Sequence, residues 1–412
     1  MSPPNSNRPY WALALLFCAG VLNLFDRQIV NILAQDIKVA LQLTDTQLGL
    51  LTGTAFGLFY ALLGIPLGRL ADRVDRIKLM SVALVLWSGF TALCGAAGNF
   101  TQIFLTRMGV GVGEAGSQPA STALVSDLFP INRRTSAMSI LLAGAPVGGL
   151  LGLMIGGYVG SVWGWRTAFV VAGIPGLIVS AVMALTLRDP RSSAARPANS
   201  AASFRTTVKE LAANPRFLWL MAGLTCVSFF PYGSGAWLPP FFIRVHGMNT
   251  AQLGKYAGLA VGFGGAFGTL GCGLLCDLLR PRVRNVELKM VAFALGLGCV
   301  CLSLTLFSPK LTIALLSMFV FDICAYAFLG PMVTLIQKEA QPDSRALAIA
   351  ICVTVSNIVN LTLALPLVGL MSDALKATHG PQSIRYALEI GLAVAGAGGM
   401  LALWKARNTE AR

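Results

Sequence analysis

From Ile140 to Tyr158 the chain passes through nineteen residues without a charged side chain, and apolar runs of this kind recur along its length. A bilayer span needs about 20 predominantly apolar residues, because lipid offers nothing to solvate a charge or an open backbone group. Only 12% of the residues are charged, about half the share of a soluble protein. The mean hydropathy of +0.71 agrees. Spans are predicted near 10–33, 46–66, 79–98, 102–127, 135–160, 166–187, 217–242, 253–276, 288–307, 312–336, 346–371 and 385–404. The expected fold class is therefore an all-α membrane protein with twelve transmembrane helices.

The net charge of +14 raises the question of nucleic acid, and the positions of the charges answer it. With the N-terminus inside, 22 Lys and Arg fall on one side of the predicted spans and 7 on the other. Basic loops stay on the cytoplasmic side. The basic balance thus reports topology: both termini cytoplasmic, no nucleic-acid partner, an integral multi-pass protein expected in a bacterial inner membrane. No cleavable signal peptide is expected, since the first apolar stretch lacks a small-residue cleavage site. All nine cysteines lie within apolar spans, where a thiol acts as a small hydrophobe. Cys272 and Cys276 share a helix face without a second ligand pair, so neither a metal nor a cofactor is expected.

Residues 188–215 interrupt the hydrophobic pattern near the middle of the chain. The first part is rich in Pro, Ser, Ala and Arg and reads as a cytoplasmic linker. The second places Phe204, Val208 and Leu211 at i, i+4, i+7, with Ser203 as a possible cap and Asn214-Pro215 as a stop. It is either an amphipathic helix on the membrane surface or a helical lead-in to the next span. The flanking segments, 1–187 and 216–412, echo each other. Gly68-x-x-x-Asp72 recurs as Gly273-x-x-x-Asp277, and Arg134-x-x-Ala137-x-x-Ile140 as Arg345-x-x-Ala348-x-x-Ile351. Arg166-x-Ala168 recurs as Arg385-x-Ala387. Three matches in the same order point to a duplicated six-span unit: two pseudo-symmetric six-helix bundles with a substrate path between them.

Charges inside spans cost about 2.5–3.5 kcal/mol each at a helix centre, so those present call for a reason. Asp26 and Arg27 fall in the first span, Arg107 and Glu114 in the fourth, Asp322 in the tenth. Arg107, Gly111, Glu114 and Gln118 share one helix face. Arg107 and Glu114 are about 10 Å apart along the axis, too far to pair with each other. Equal depth suggests an Asp26–Arg107 pair, with Arg27 reaching Glu114 or an anionic headgroup. A guanidinium suits phosphate, gripping two oxygens at once. A carboxyl removed from water favours its neutral form; Glu114 is therefore the first candidate for proton coupling, followed by Asp322 and then Asp26. The competing reading is a structural network pinning the first and fourth spans.

The stretch from Gly68 to Met80, GRLADRVDRIKLM, resembles the cytoplasmic signature between the second and third helices of the major facilitator superfamily. Asp72, Arg73, Arg76 and Lys78 match it; Asp75 replaces the usual glycine. The resemblance implies a latch in which Gly68 lets helices approach and Asp72 faces a helix N-terminus and the arginines, with Asp277 its echo; a simple charged turn is the alternative. Gly144, Pro146, Gly148 and Gly149 resemble the fifth-helix motif of the antiporter branch, with tight packing as the alternative. Asn23-Leu-Phe-Asp26-Arg27, Leu43 to Gly53, and Arg107 to Ala115 are similar to the spinster-like lineage. That resemblance implies a secondary transporter working by alternating access, proton-coupled, carrying a lysolipid or phosphorylated sphingoid-like lipid.

Around Pro231, Tyr232, Trp237, Pro239 and Pro240 the seventh span is dense in helix breakers and aromatics. It is either a broken helix beside the cavity, with Tyr232 and Trp237 on substrate, or an interfacial belt. Other polar groups are few: Asn23, Asn31, Gln118, Asn357 and Asn360. So thin a set suits a small amphiphile better than a sugar. Expected substrate contacts are Asn23, Asp26, Arg27, Arg107, Glu114, Gln118, Tyr232 and Asn357. The rival is a multidrug or organic-anion transporter of the same superfamily. An enzyme is not expected: only His246 and His379 exist, both near outer loops, and no nucleophile–base set accompanies them. The expected partners are the amphiphile, a proton and membrane lipid, with the chain a monomer.

Overall fold

The computed structural model describes residues 9–190, 208–341 and 344–409, without the side chains of Ile65, Arg69, Asp72 and Ala346. The described residues form helices and short turns, with no strand among them. In chain order the helices are α1 (Pro9–Ile32), α2 (Ala34–Ala40), α3 (Asp45–Gly49), α4 (Ala55–Arg73), α5 (Arg76–Cys94), α6 (Phe100–Glu114), α7 (Ser117–Leu128) and α8 (Ile131–Thr186). Then follow α9 (208–213), α10 (Pro215–His246), α11 (Thr250–Leu259), α12 (Gly265–Leu279), α13 (Val286–Phe307) and α14 (Leu311–Tyr326). The last four are α15 (Leu329–Lys338), α16 (Arg345–Asn357), α17 (Leu365–His379) and α18 (Ser383–Thr409). Single π-turns join α3 to α4 (Leu50–Thr54), α11 to α12 (Ala260–Gly264) and α16 to α17 (Ile358–Ala364).

Among the described residues, nine continuous helical stretches have the length and hydropathy to cross a membrane. Two of them, of 56 and 63 residues, are long enough for two crossings each with residues to spare for the turn. Within the first, α8 turns at Gly164, whose φ of 84° suits a residue without a Cβ. The helices α6 and α7 add a further apolar pair, interrupted at Ala115 and Gly116. This segmentation is consistent with twelve crossings.

Local chemistry sets the helix starts. Thr44 and Gln47 form a reciprocal capping box at α3. Asn99 caps α6 through the Gln102 amide. Asn214 accepts from the amides of Arg216 and Phe217, and Pro215 stands first in α10, where its missing N–H costs nothing. Asp75, the departure from the superfamily pattern, caps α5 by accepting from the Lys78 amide at 3.0 Å. Of the expected amphipathic stretch, Leu211 is buried in α9, whereas Ser203, Phe204 and the linker residues 191–207 lie outside the described residues.

The chain divides into two compact units, one holding residues 9–190 with Met248–Gly258, the other 208–247 with 259–409. In the first unit, α8 lies along α1 on a ridge of Gly144, Gly148, Gly152 and Gly156. A Cβ on Gly148 would stand 2.1 Å from the Val21 carbonyl oxygen. Gly149 is buried beside it and Pro146 is exposed within the continuous helix. The antiporter-like motif therefore acts in this unit as a close helix contact. Gly68 behaves differently from expectation: a Cβ there would meet Pro119 at an ordinary 3.7 Å. Closer approaches lie on α6, at Gly111 and Gly113.

In the second unit α10 is continuous through Pro231, Pro239 and Pro240, so the expected break is absent. Buried aromatics hold it: Phe229 packs against Gly391 of α18, and Phe230 stacks on Phe321 of α14 at 5.7 Å. Trp237 is wholly buried, which removes the interfacial-belt reading.

Charged clusters tie helix ends together. Arg76 pairs with Asp127 and Asp189, drawing α5 onto the last turn of α7 and the residues that follow α8. In the second unit Glu287 receives Arg280 at 3.3 Å and Lys338 at 3.0 Å, and Arg216 meets Glu339 at 3.1 Å. Asp277 is largely exposed and pairs with Arg280 on its own helix end. Arg73 is exposed, and the side chain of Asp72 lies outside the described ones.

Candidate functional site

Three glycines of α6 explain how its charges reach the interior of the first unit. Added Cβ atoms would strike the Phe90 ring at Gly109 (2.5 Å), the Phe56 carbonyl oxygen at Gly111 (2.6 Å) and Trp87 at Gly113 (2.8 Å). The helix is thereby sealed against α4 and α5. Glu114 ends α6, immediately before the break at Ala115 and Gly116, and is wholly buried.

Arg27 and Asn23, one turn apart on α1, converge on Glu114. Arg27 Nε donates to Glu114 Oε2 at 2.9 Å and Asn23 Nδ2 to the same oxygen at 2.8 Å. The other oxygen, Oε1, is buried with no hydrogen-bond partner. Arg27 also lies over the rings of Phe56 and Tyr60, 4.4 Å from each centroid. Those two rings stack on each other one turn apart on α4. The guanidinium thus has an anion at one edge and π-faces at its side, the mixture that stabilises a partly dehydrated Arg.

Asp26 and Arg107 are also buried, but they do not form the expected pair. Asp26 accepts from Thr91 of α5 at 3.2 Å, leaving Oδ1 without a partner. Arg107 sits 5.3 Å from the Phe56 centroid, with Nε and Nη1 unpartnered. The reason is angular. Successive residues on a helix point about 100° apart, so α1 cannot aim both Asp26 and Arg27 at α6; Arg27 takes that direction and Asp26 faces α5. All four groups remain within electrostatic reach, two cations balancing two anions, with one direct ion pair between them.

An open pocket borders this network in the first unit. Asn23, Arg27, Tyr60, Ser117, Gln118 and Thr122 supply its polar wall, and Leu16, Leu24, Leu141 and Leu142 its apolar one. A charged edge beside aliphatic side chains can receive a polar headgroup and the start of a chain. Of the sequence-stated contacts, Asn23, Arg27 and Gln118 line this pocket with Glu114 behind, while Asp26 and Arg107 lie off it. Tyr232 and Asn357 are brought together in the second unit, where Tyr232 Oη donates to Asn357 Oδ1 at 2.8 Å. Asp322 is buried in that unit too. Sequence reasoning missed Tyr60, Phe56 and Thr91. The Phe56–Tyr60 spacing of i, i+4 was the available signal for the first two.

Known proteins share this architecture. A model described as the Major Facilitator Superfamily matches residues 16–364. The chain is 32% identical over 406 residues to an MFS-type efflux pump of Mycolicibacterium smegmatis, covering 97% of this chain and 92% of that one. It is 25% identical over 407 residues to a sphingosine-1-phosphate transporter of Danio rerio, covering 94% and 80%. The crystal structure of a bacterial homologue of the human lysosomal transporter spinster, solved inward-facing and unoccupied, superposes with a TM-score of 0.86. That match has 28% identity and covers 99% of both chains.

Proposed function

Because this chain belongs to the Major Facilitator Superfamily, in its spinster-like lineage, and is a multi-pass membrane transporter rather than an enzyme, we propose that it moves a small anionic amphiphile by proton-coupled alternating access. The cargo fits a lysolipid or a phosphorylated sphingoid-like lipid. The observation that carries this reading is the bond between Arg27 and Glu114 at the edge of an amphipathic pocket.

With Glu114 ionised, it occupies the guanidinium that an anionic headgroup needs. A proton on Glu114 removes its charge and frees Arg27 for the incoming anion. Proton and anion then bind with positive coupling, and by reciprocity each tightens the other. Asn23 and Gln118 orient the headgroup, and the leucines receive the chain. Asp26, facing Thr91, serves as a second proton site, and Arg107 keeps the cluster balanced in charge. The Arg76 cluster and the glycine ridge of α8 act as the conformational parts, one fastening helix ends, the other keeping α1 and α8 together. The positive-inside count supports cytoplasmic termini in a bacterial inner membrane.

The test is binding of octyl sulfate, whose charge is constant with pH, to the purified full chain. Wild type should bind more tightly as pH falls from 8 to 5. Glu114→Gln should bind at all pH values as wild type does at low pH, and Arg27→Ala should lose about tenfold or more in affinity. A pH dependence that survives Glu114→Gln rejects the coupling. The similarity to an efflux pump favours a second reading, a multidrug transporter with the same cluster. Arg27→Ala separates the two: equal loss for octyl sulfate and for a neutral octyl glucoside supports the multidrug alternative.

A further inference from the structure

Among the described residues, Asp322 stands apart from the charges of the first unit. It is 4% exposed on α14. It makes no ion pair or hydrogen bond with a described residue, and no charged group influences it. Carboxyls in the first unit, by contrast, sit among guanidinium groups.

Its surroundings are aromatic and neutral. Tyr326 follows one turn later on α14 and lies within electrostatic reach of both Asp322 and Tyr232. Tyr232 in turn holds Asn357. The stack of Phe230 on Phe321 fixes α10 against α14, and Tyr326 is the group that both Tyr232 of α10 and Asp322 of α14 lie near. From the other side comes the π-turn that joins α11 to α12. Gly264 approaches Asp322 and Gly265 approaches Tyr326, a Cβ on each meeting those side chains at 3.1 and 3.4 Å. Residues without side chains there let the π-turn pack closely on Asp322 Cβ and the Tyr326 ring while adding no polar side chain to the carboxyl.

An anion left in a low-dielectric interior without a counter-charge is unfavourable by several kcal/mol. It is readily kept where a visiting cation supplies the missing charge. The neighbours decide which cation. A divalent metal needs several hard oxygen or nitrogen ligands, and no cluster of three His, Cys, Asp or Glu occurs among the described residues. One carboxylate with two phenol rings and an amide matches an alkylammonium instead, since aromatic faces attract diffuse organic cations and the carboxylate supplies the charge.

We infer that Asp322, Tyr326, Tyr232 and Asn357 form a binding site in the second unit for an organic ammonium group. This deepens the reading of the cargo as an amphiphile, which it rests on: the headgroup carries an amine as well as an acid. The cationic half nonetheless stands on the second unit alone.

Labelled octyltrimethylammonium and octyl sulfate, each below its micelle concentration, are titrated separately onto the purified full chain in a maltoside detergent. Asp322→Asn should weaken octyltrimethylammonium by about tenfold or more while leaving octyl sulfate within about twofold. Asp322→Glu should restore part of the loss. Tyr326→Leu, which keeps the charge, should weaken the ammonium by a smaller factor and guards against a variant that fails to fold. Unchanged ammonium affinity in Asp322→Asn overturns the inference, as does a change confined to the pH dependence of transport, which assigns a proton there. Loss of the Arg27 effect on octyl sulfate with the Asp322 effect intact would instead overturn the anionic half and leave this site standing.

Discussion

Asp36, at the outer end of the first span in the predicted topology, illustrates how one buried carboxyl reports on its surroundings. It accepts from Thr250 at 3.1 Å, and burial pushes its carboxyl above the usual range, with the Thr250 bond opposing. A carboxyl whose folded value lies above its unfolded one destabilises the fold at high pH, and the cost fades as pH falls through the folded value. Asp36→Asn, which keeps an acceptor for Thr250, should therefore raise the unfolding temperature at pH 8, and the gain should vanish near pH 4. Thermal unfolding in detergent at both values measures it. Legibility at this scale was mixed. Arg27 and Glu114 could be paired from depth and chemistry because both are rare in lipid and opposite in charge. The Asp26–Arg107 pairing failed because sequence supplies height along a helix but not the direction a neighbouring helix occupies.

Helix contacts were legible in kind and not in partner. Small residues at spacings of four announced a close seam on α8, yet nothing in the sequence said that α1 lies in it. The seam predicts a sharp contrast. Gly148→Val should cost about 3 kcal/mol or more, since its Cβ alone would overlap the Val21 carbonyl. Gly273→Ala, with open space around it, should be neutral or stabilising by up to about 1 kcal/mol. Both are read as melting shifts of purified protein. The three prolines of α10 misled for the opposite reason. Proline lowers helix propensity locally, whereas Phe230 stacked on Phe321 of α14 and Phe229 packed on Gly391 of α18 hold the helix from outside it, beyond what a local reading weighs. Asp75 was a departure from a pattern until its bond to the Lys78 amide gave it a capping role.

At the scale of the whole molecule, membrane class was readable from charge scarcity, since a soluble surface cannot be built with so few charges, and helix content from apolar runs of span length. The division into two compact units differs from the sequence halves in one respect: Met248–Gly258 groups with the first unit. Gly254 and Gly258 fit against Leu153 and Met154 of α8 there, a contact between segments a hundred residues apart that no local pattern encodes. Orientation is open to a direct measurement. A membrane-impermeant maleimide added to intact cells should label Lys310→Cys and spare Arg282→Cys, which becomes reactive only after permeabilisation. The reverse pattern would invert the assigned topology.

The glycine seams of the first unit have a mechanical consequence. Backbone pressed on backbone has no rotamers with which to absorb movement, so the seam of α1 with α8 is stiff, as are those of α6 with α4 and α5 and of α8 with α5 at Gly173 and Gly176. The Arg27–Glu114 contact joins α1 to α6 through side chains instead, and under the proposed coupling a single proton or headgroup would part it without disturbing any seam.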